Sequence, residues 1–318
     1  MAERHAPKSQ VRLVTVDDNS DGQRLDNFLI TQLKGVPRSW IYRVLRRGEV
    51  RVNKGRSKPA RRLQTGDVVR IPPVRQAPEK PREAPEKLIN LINESILYED
   101  NLLIVINKPS GMAVHGGSGL SHGVIETFRA ARPDAPYLEL VHRLDRETSG
   151  CLMLAKKRSA LRRLQELQRA NQIEKRYLAL LSGRSRKGRW RADAPLKKNT
   201  LKSGERVVRV DPEGKQALTH FQVERGFAEA TLVEARLETG RTHQIRVHAA
   251  ANGTPIVGDE KYGNEQINRL YRAQGLRRLF LHAVSLRFPW PEIIGGFSIE
   301  APLPVDLQSL LERLDNHG

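Results

Sequence analysis

The chain's 318 residues, 38% of them hydrophobic, can bury a real core and suffice for about two domains of ordinary size. Lys and Arg number 55 against 36 Asp and Glu, a formal charge of +19, which makes a nucleic acid the first partner to consider; aromatics at only 5% disfavour a basic membrane-surface helix. Residues 1 to 10 hold no apolar h-region, aliphatic runs such as 102 to 106 are too short to span a bilayer, and the single cysteine, Cys151, excludes a disulfide framework or multi-cysteine zinc site, so a soluble, cytoplasmic protein is expected.

Residues 1 to 21 read as an N-terminal extension and 22 to 73 as a separate small unit. Leu25, Phe28, Leu29 and Leu33 follow amphipathic helical spacing. A second helix fits 39 to 47, with Ile41, Val44 and Leu45 inward, Arg43, Arg46 and Arg47 elsewhere, and Gly48 as its stop. Short strands fit 50 to 53 and 67 to 71. Between 22 and 73 there are 13 Lys/Arg against 3 Asp/Glu, a density suited to phosphate contact rather than base reading. Prolines 72, 73, 78, 81 and 85 then break a polar stretch without apolar periodicity, so 74 to 87 is expected to be a semi-rigid linker.

From 88 to 318 one further domain of αβ type is expected. Strands fit 96 to 100 and 102 to 106, followed by a glycine-rich loop over 107 to 117. That loop has neither a Walker pattern nor GxGxxG, so it reads as backbone packed near a catalytic strand rather than a nucleotide cradle. The string His142-Arg143-Leu144-Asp145-Arg146-Glu147-Thr148-Ser149-Gly150 precedes the apolar run 151 to 155, which reads as a buried strand with Asp145 on the loop entering it. Nearby guanidinium groups favour the charged form of such a carboxylate, as a nucleophile requires; a purely structural salt bridge to Arg143 or Arg146 is the plainer alternative. A helix over 159 to 169, a strand over 175 to 181 carrying Tyr177, and loops and hairpins over 182 to 216 follow. Strands are expected within 221 to 234, a strand running into a helix over 237 to 248, and a closing strand over 279 to 288. The strand reading puts Thr242, Gln244, Arg246 and His248 on one face and Ile245 and Val247 on the other. His243 and His248 lack metal-ligand spacing, so no metal is expected and a structural or RNA-contacting role is favoured.

Five ordered motifs, N-K-P-S-G-M-A-V-H (107 to 115), H-R-L-D-R-E-T-S-G (142 to 150), K-R-Y-L-A-L-L-S-G (175 to 183), E-T-G-R-T-H-Q-I-R-V-H (238 to 248) and L-H-A-x-x-L-x-F (281 to 288), resemble those of the RluA-type RNA pseudouridine synthases. R-L-D-N-F-L (24 to 29), S-W-I-Y-R-V-L-R-R-G-E-V-R-V-N (39 to 53) and G-D-V-V-R-I (66 to 71) resemble the S4 RNA-binding domain. The resemblance implies an α+β fold, with a mixed, mainly antiparallel catalytic sheet beside a small S4-like αβ domain. It implies cofactor-free isomerisation of specific uridines in large-subunit (23S) ribosomal RNA, on a flipped-out nucleotide, by a monomer with no obligate protein partner.

By motif position, Asp145 is the catalytic carboxylate, whether it attacks C1′, attacks C6 or acts through a glycal. Tyr177 stacks on the uracil and helps remove the C5 proton, Arg246 pairs with Asp145, and Ile245 packs under the base. Arg143 fills the gap left by the extruded nucleotide, or else forms a plain salt bridge to Asp145 or Glu147. His142 and Arg241 join the RNA-binding set, with Arg43, Arg46 and Arg47 on the S4-like unit. A non-catalytic RNA-binding or ribosome-assembly protein with a degenerate enzyme domain is the competing expectation, and glycoside hydrolysis using Glu147 as second carboxylate is a third.

Overall fold

The computed structural model describes residues 10–33, 35–74, 84–116, 122–184, 188–200 and 206–316. The chain divides into two units, residues 1–83 and 84–318; most of the expected linker, residues 75–83, lies outside the described residues.

The small unit contains β1 (Arg12–Thr15), α1 (Leu25–Gln32), α2 (Arg38–Arg47), β2 (Arg51–Val52), β3 (Gly55–Arg56) and β4 (Val68–Ile71). Its antiparallel sheet runs β1-β4-β2-β3. Ile41, Val44 and Leu45 of α2 join Leu25, Phe28 and Leu29 of α1 and Val52, Val69 and Ile71 of the sheet in one core, while Arg43, Arg46 and Arg47 are exposed. Gly48 ends α2 at φ 70°, where its N–H and that of Glu49 take up the last free carbonyls, those of Leu45 and Val44; a glycine there adopts the left-handed turn without strain. The stretch expected to be an extension differs: Arg12–Thr15 adds a strand to the edge of β4 and Val16 is fully in the core. Four residues carry too little periodicity to mark such an edge strand before its partner is known.

In the large unit, α3 (Glu86–Glu94), β5 (Ile96–Glu99), β6 (Leu103–Lys108), α4 (Val124–Ala131), β7 (Glu139–Leu140), β8 (Ser149–Ala155), α5 (Arg158–Arg169) and β9 (Glu174–Ser182) come first. They are followed by β10 (Arg189–Asp193), β11 (Leu196–Thr200), β12 (Arg206–Val210), β13 (Leu218–Gly226), β14 (Ala230–Leu237), α6 (Gln244–Ala251), α7 (Glu265–Ala273), β15 (Leu281–Phe288), β16 (Phe297–Glu300) and α8 (Val305–Asn316). Helix α3 begins inside the stretch assigned to the linker, with Pro85 preceding its first turn, where a proline's missing N–H costs nothing.

One sheet runs β10-β13-β14-β9-β15-β8-β6-β5, with β16 added to β15 and β7 to β8, while β11 and β12 form a separate hairpin. All its pairings are antiparallel except β15 with β8, the mixed α+β architecture expected from the sequence. Strand β15, expected to close the sheet, inserts at its centre between β9 and β8. Every residue of β8 is buried, which accounts for its unbroken apolar sequence. The parallel contact with β15 also explains Gly150: at φ 107° it faces Ala283, whose backbone a Cβ would strike. Among the described residues no helix is long and apolar enough to cross a membrane.

Candidate active site

A cleft of about 1040 Å³ opens in the large unit, lined by the loop before β8, the start of β9 and the segment joining β14 to α6. Its residues include His142, Arg143, Asp145, Tyr177, Arg241, His243, Ile245 and Arg246, so all seven site residues expected in this domain converge on one cavity.

Asp145 lies on the loop entering β8, as expected. The loop is clamped to the glycine-rich loop after β6: the Gly111 N–H donates to Arg146 O at 2.9 Å, Arg146 Nε to Gly111 O at 3.0 Å, and Ser110 Oγ to Glu147 O at 2.7 Å. Beneath them Lys108, fully buried, donates from Nζ to the carbonyls of Pro109, Met112 and Arg146 at 2.7, 2.9 and 3.0 Å. Burial pushes its amine down to about 7. Three carbonyls nevertheless match the three N–H groups that only the ammonium form carries, and this geometry favours the charged state. The sequence marks this stretch as a packed loop but not the lysine that ties it.

Asp145 does not pair with Arg143 or Arg146. Its Oδ2 faces Arg246 Nη1 and His243 Nε2, each at 3.7 Å. Arg143 is exposed on the cleft wall and makes no ion pair among the described residues, so the salt-bridge alternative is not realised. Arg146 instead approaches Glu147 at 3.4 Å.

Arg246 sits in helix α6 rather than in a strand, and the alternation of faces expected for 242 to 248 is replaced by a helix whose residues 244 to 249 are all buried. The chain turns at 238 to 243 because Gln244 gathers it in: Gln244 Oε1 accepts from Thr239 Oγ1 and the Arg241 N–H, and Nε2 donates to Leu218 O. His248 Nδ1 is 2.9 Å from Thr219 Oγ1 and its Nε2 is 3.0 Å from Ala194 O, so it is structural. Only 8% exposed, Arg246 makes a two-pronged bond to Asp259, Nε to Oδ2 at 2.7 Å and Nη2 to Oδ1 at 2.8 Å. Burial alone would lower the Arg246 pKa, but Asp259 and, more weakly, Asp145 raise it. Likewise burial opposes ionisation of Asp259, and the Arg246 guanidinium more than compensates, lowering its pKa. Arg246 is thus a fixed cation with one face toward Asp259 and a third nitrogen toward Asp145. The expected Asp145 contact is present but long, and the dominant partner, Asp259, was not foreseen.

Tyr177 on β9 is buried and lines the cleft with Ile245. Burial, then the charge of Asp145, pushes its phenol above the ordinary tyrosine value, which favours a protonated, apolar ring over a base that takes a proton. His142 accepts the Met153 N–H on Nε2 at 3.2 Å, and burial holds it down to about 3. It therefore enters the site as a neutral peg fixing the loop to β8, not as a cation for RNA. Arg241 Nε donates to Gln216 O at 2.9 Å while its side chain stays exposed at the rim. Cys151 is buried and pushed up to about 12, an unreactive core thiol. Among the described residues no group of three or more His, Cys, Asp or Glu could hold a metal ion.

Residues 102–251 match the family model described as RNA pseudouridylate synthase, and residues 23–69 match the S4 domain. The chain is 54% identical over 306 residues to the ribosomal large subunit pseudouridine synthase C of Yersinia pestis, a match covering 96% of both chains. It is 53% identical over 311 residues to the protein of that name from Escherichia coli (strain K12), covering 96% of this chain and 97% of the other. Among solved structures it resembles Human RNA Pseudouridylate Synthase Domain Containing 4, with a TM-score of 0.60 and 30% identity over 72% of this chain and 96% of that one.

Proposed function

The chain belongs to the RNA pseudouridylate synthase family, and from that premise we propose that it isomerises specific uridines to pseudouridine in large-subunit (23S) ribosomal RNA. The observation that carries this is the cleft carboxylate, Asp145, set 3.7 Å from an arginine that Asp259 holds in place. In the reaction the C1′–N1 bond breaks, the uracil turns, C5 joins C1′, and the proton lost from C5 is balanced by one gained at N1, with no net redox change. One carboxylate suffices because the departing uracil is a delocalised anion, so the paired acid of a glycosidase is not required.

Asp145 acts on the target nucleotide and Arg246 fixes its carboxylate. Tyr177 and Ile245 give the cleft an apolar wall against which a flipped-out uracil stacks; extrusion costs about a few kcal/mol, which contacts along the bound RNA offset. Arg143, exposed beside the cleft and without an ion pair among the described residues, fills the space the nucleotide leaves, and Arg241 contacts the RNA at the rim. On the S4 domain Arg43, Arg46 and Arg47 lie along the exposed face of α2, suited to neutralising phosphates. In this reading the enzyme works in the cytoplasm as a monomer, without cofactor.

The test is a pseudouridine map of large-subunit ribosomal RNA from cells with and without the gene. At least one site should vanish on deletion, return with the wild-type gene, and stay absent with Asp145→Asn. An unchanged map would overturn the substrate assignment.

A further inference from the structure

His243, immediately before α6, has φ 55°, a left-handed backbone that is uncommon outside glycine and clusters at functional sites. What this conformation achieves is visible in the side chain. The Tyr262 hydroxyl oxygen accepts the Val208 N–H at 2.9 Å, and among the described residues His243 Nδ1, 2.7 Å away, is the acceptor left for the hydroxyl's own proton. With Nδ1 acting as acceptor, the proton of the neutral ring resides on Nε2, the nitrogen that faces Asp145 Oδ2 at 3.7 Å. Burial keeps the imidazole below its ordinary pKa although Asp145 pulls the other way, so the neutral form is the relevant one.

A separation of 3.7 Å is too long for a hydrogen bond, yet an oxygen about 2.8 Å from each atom would complete two. That oxygen must accept from Nε2–H and donate to the carboxylate. Near the anomeric carbon of a nucleotide within a chain, O4′ and uracil O2 only accept and the 3′ oxygen is esterified; the 2′-hydroxyl alone does both. It would occupy Oδ2 and leave Oδ1 of Asp145 toward the reacting atoms. Resting on the uridine-isomerase reading above, we propose that His243 is a substrate-contacting residue whose Nε2–H, together with Asp145, reads the 2′-hydroxyl of the target uridine, with Tyr262 fixing the tautomer.

The experiment is a cycle between one side chain and one substrate oxygen. A large-subunit RNA fragment containing the mapped site is made with pseudouridine or 2′-deoxypseudouridine at that position, products that are not turned over during a binding measurement. His243→Asn is the variant, because Asn tolerates the left-handed backbone but cannot reach the cleft; an unchanged melting temperature checks the fold. Loss of the 2′-hydroxyl should weaken wild-type binding about tenfold, the scale of a hydrogen bond to a charged group. His243→Asn should bind the ribose form about tenfold more weakly and be indifferent to the hydroxyl. Tyr262→Phe, which frees the tautomer, should diminish the wild-type preference. If His243→Asn keeps the full wild-type preference for the 2′-hydroxyl, the assignment is overturned while the isomerase reading stands. If the wild type fails to convert the uridine form of the fragment, the substrate reading falls and this inference with it.

Discussion

Replacing Asp259 by Asn removes one charge from a site where a buried cation has little else to hold it. Asp259 is 1% exposed and Arg246 8%. The carboxylate accepts both guanidinium bonds and, on Oδ1, the N–H groups of Lys261 and Tyr262 at 2.9 Å each. Asn can keep accepting from the backbone and from Arg246 Nη2 with its Oδ1, but it carries no charge, and the amide in place of Oδ2 turns N–H toward Arg246 Nε, donor against donor. The buried cation loses its partner, a cost of about 3 to 5 kcal/mol; at about 2 to 4 °C per kcal/mol for a domain of this size, the melting temperature should fall on the order of 10 °C. The released guanidinium has Asp145, now 3.7 Å away, as its nearest carboxylate and should close on it, so turnover measured by tritium release from C5-labelled RNA should fall at least about tenfold. A double variant, Asp259→Leu with Arg246→Met, should recover part of the stability, since removing a buried pair together is far cheaper than breaking it, the remainder being lost with the acceptor of the Lys261 and Tyr262 N–H groups, yet leave turnover abolished. Wild-type melting and turnover in Asp259→Asn would refute the reasoning that Arg246 is positioned through Asp259.

Lys108→Met keeps a stem of similar length but takes the side-chain donor from the carbonyls of Pro109 and Met112, at about 1 to 3 kcal/mol for each acceptor left unpaired, and leaves Arg146 O with the Gly111 N–H alone. It should lower the melting temperature and, because one carbonyl belongs to Arg146 beside Asp145, reduce turnover as well; a variant with wild-type melting and rate would show that the clamp is not needed. Stability should also fall as pH drops below about 6.5, the ordinary histidine value. Burial lowers the pKa of His142, His248 and His282, to about 3 for His142 and about 4 for His282. Between those folded values and the ordinary one the unfolded chain binds protons that the folded chain does not, so acid favours unfolding. Melting temperatures recorded from pH 7 to 5.5 should decline steadily, and a flat profile would contradict neutral burial of these rings.

Elements whose identity rests on local pattern were legible in the sequence. The arginine-rich helix α2 with its glycine stop, the apolar strand β8 and the loop carrying Asp145 all follow from spacing and composition, and the ordered motifs brought Asp145, Tyr177 and Arg246 into one cleft. What was not legible is pairing at a distance. Asp259 lies 13 residues beyond Arg246 in a stretch with no periodic signal, and β15 finds its place between β9 and β8 only through tertiary contacts. A strand running into a helix was expected over 237 to 248, and β14 does give way to α6 there, but alternation does not show where the helix begins; the side-chain bonds of Gln244, which decide the matter, cannot be seen in one dimension. Lys108 was missed for a related reason: a lysine is ordinarily exposed, and only the three carbonyls around it reveal why this one is not. For His243, read from the sequence as structural or RNA-contacting, the left-handed backbone shows that the residue is placed rather than incidental.

The central claim is that the Asp145 carboxylate performs the isomerisation in this cleft. Its most direct test is Asp145→Asn, assayed by tritium release from C5-labelled large-subunit RNA alongside equilibrium binding of the same RNA. Turnover should disappear while affinity stays within a few-fold of wild type, because the basic surfaces that hold the RNA are untouched; turnover at the wild-type rate would contradict the account.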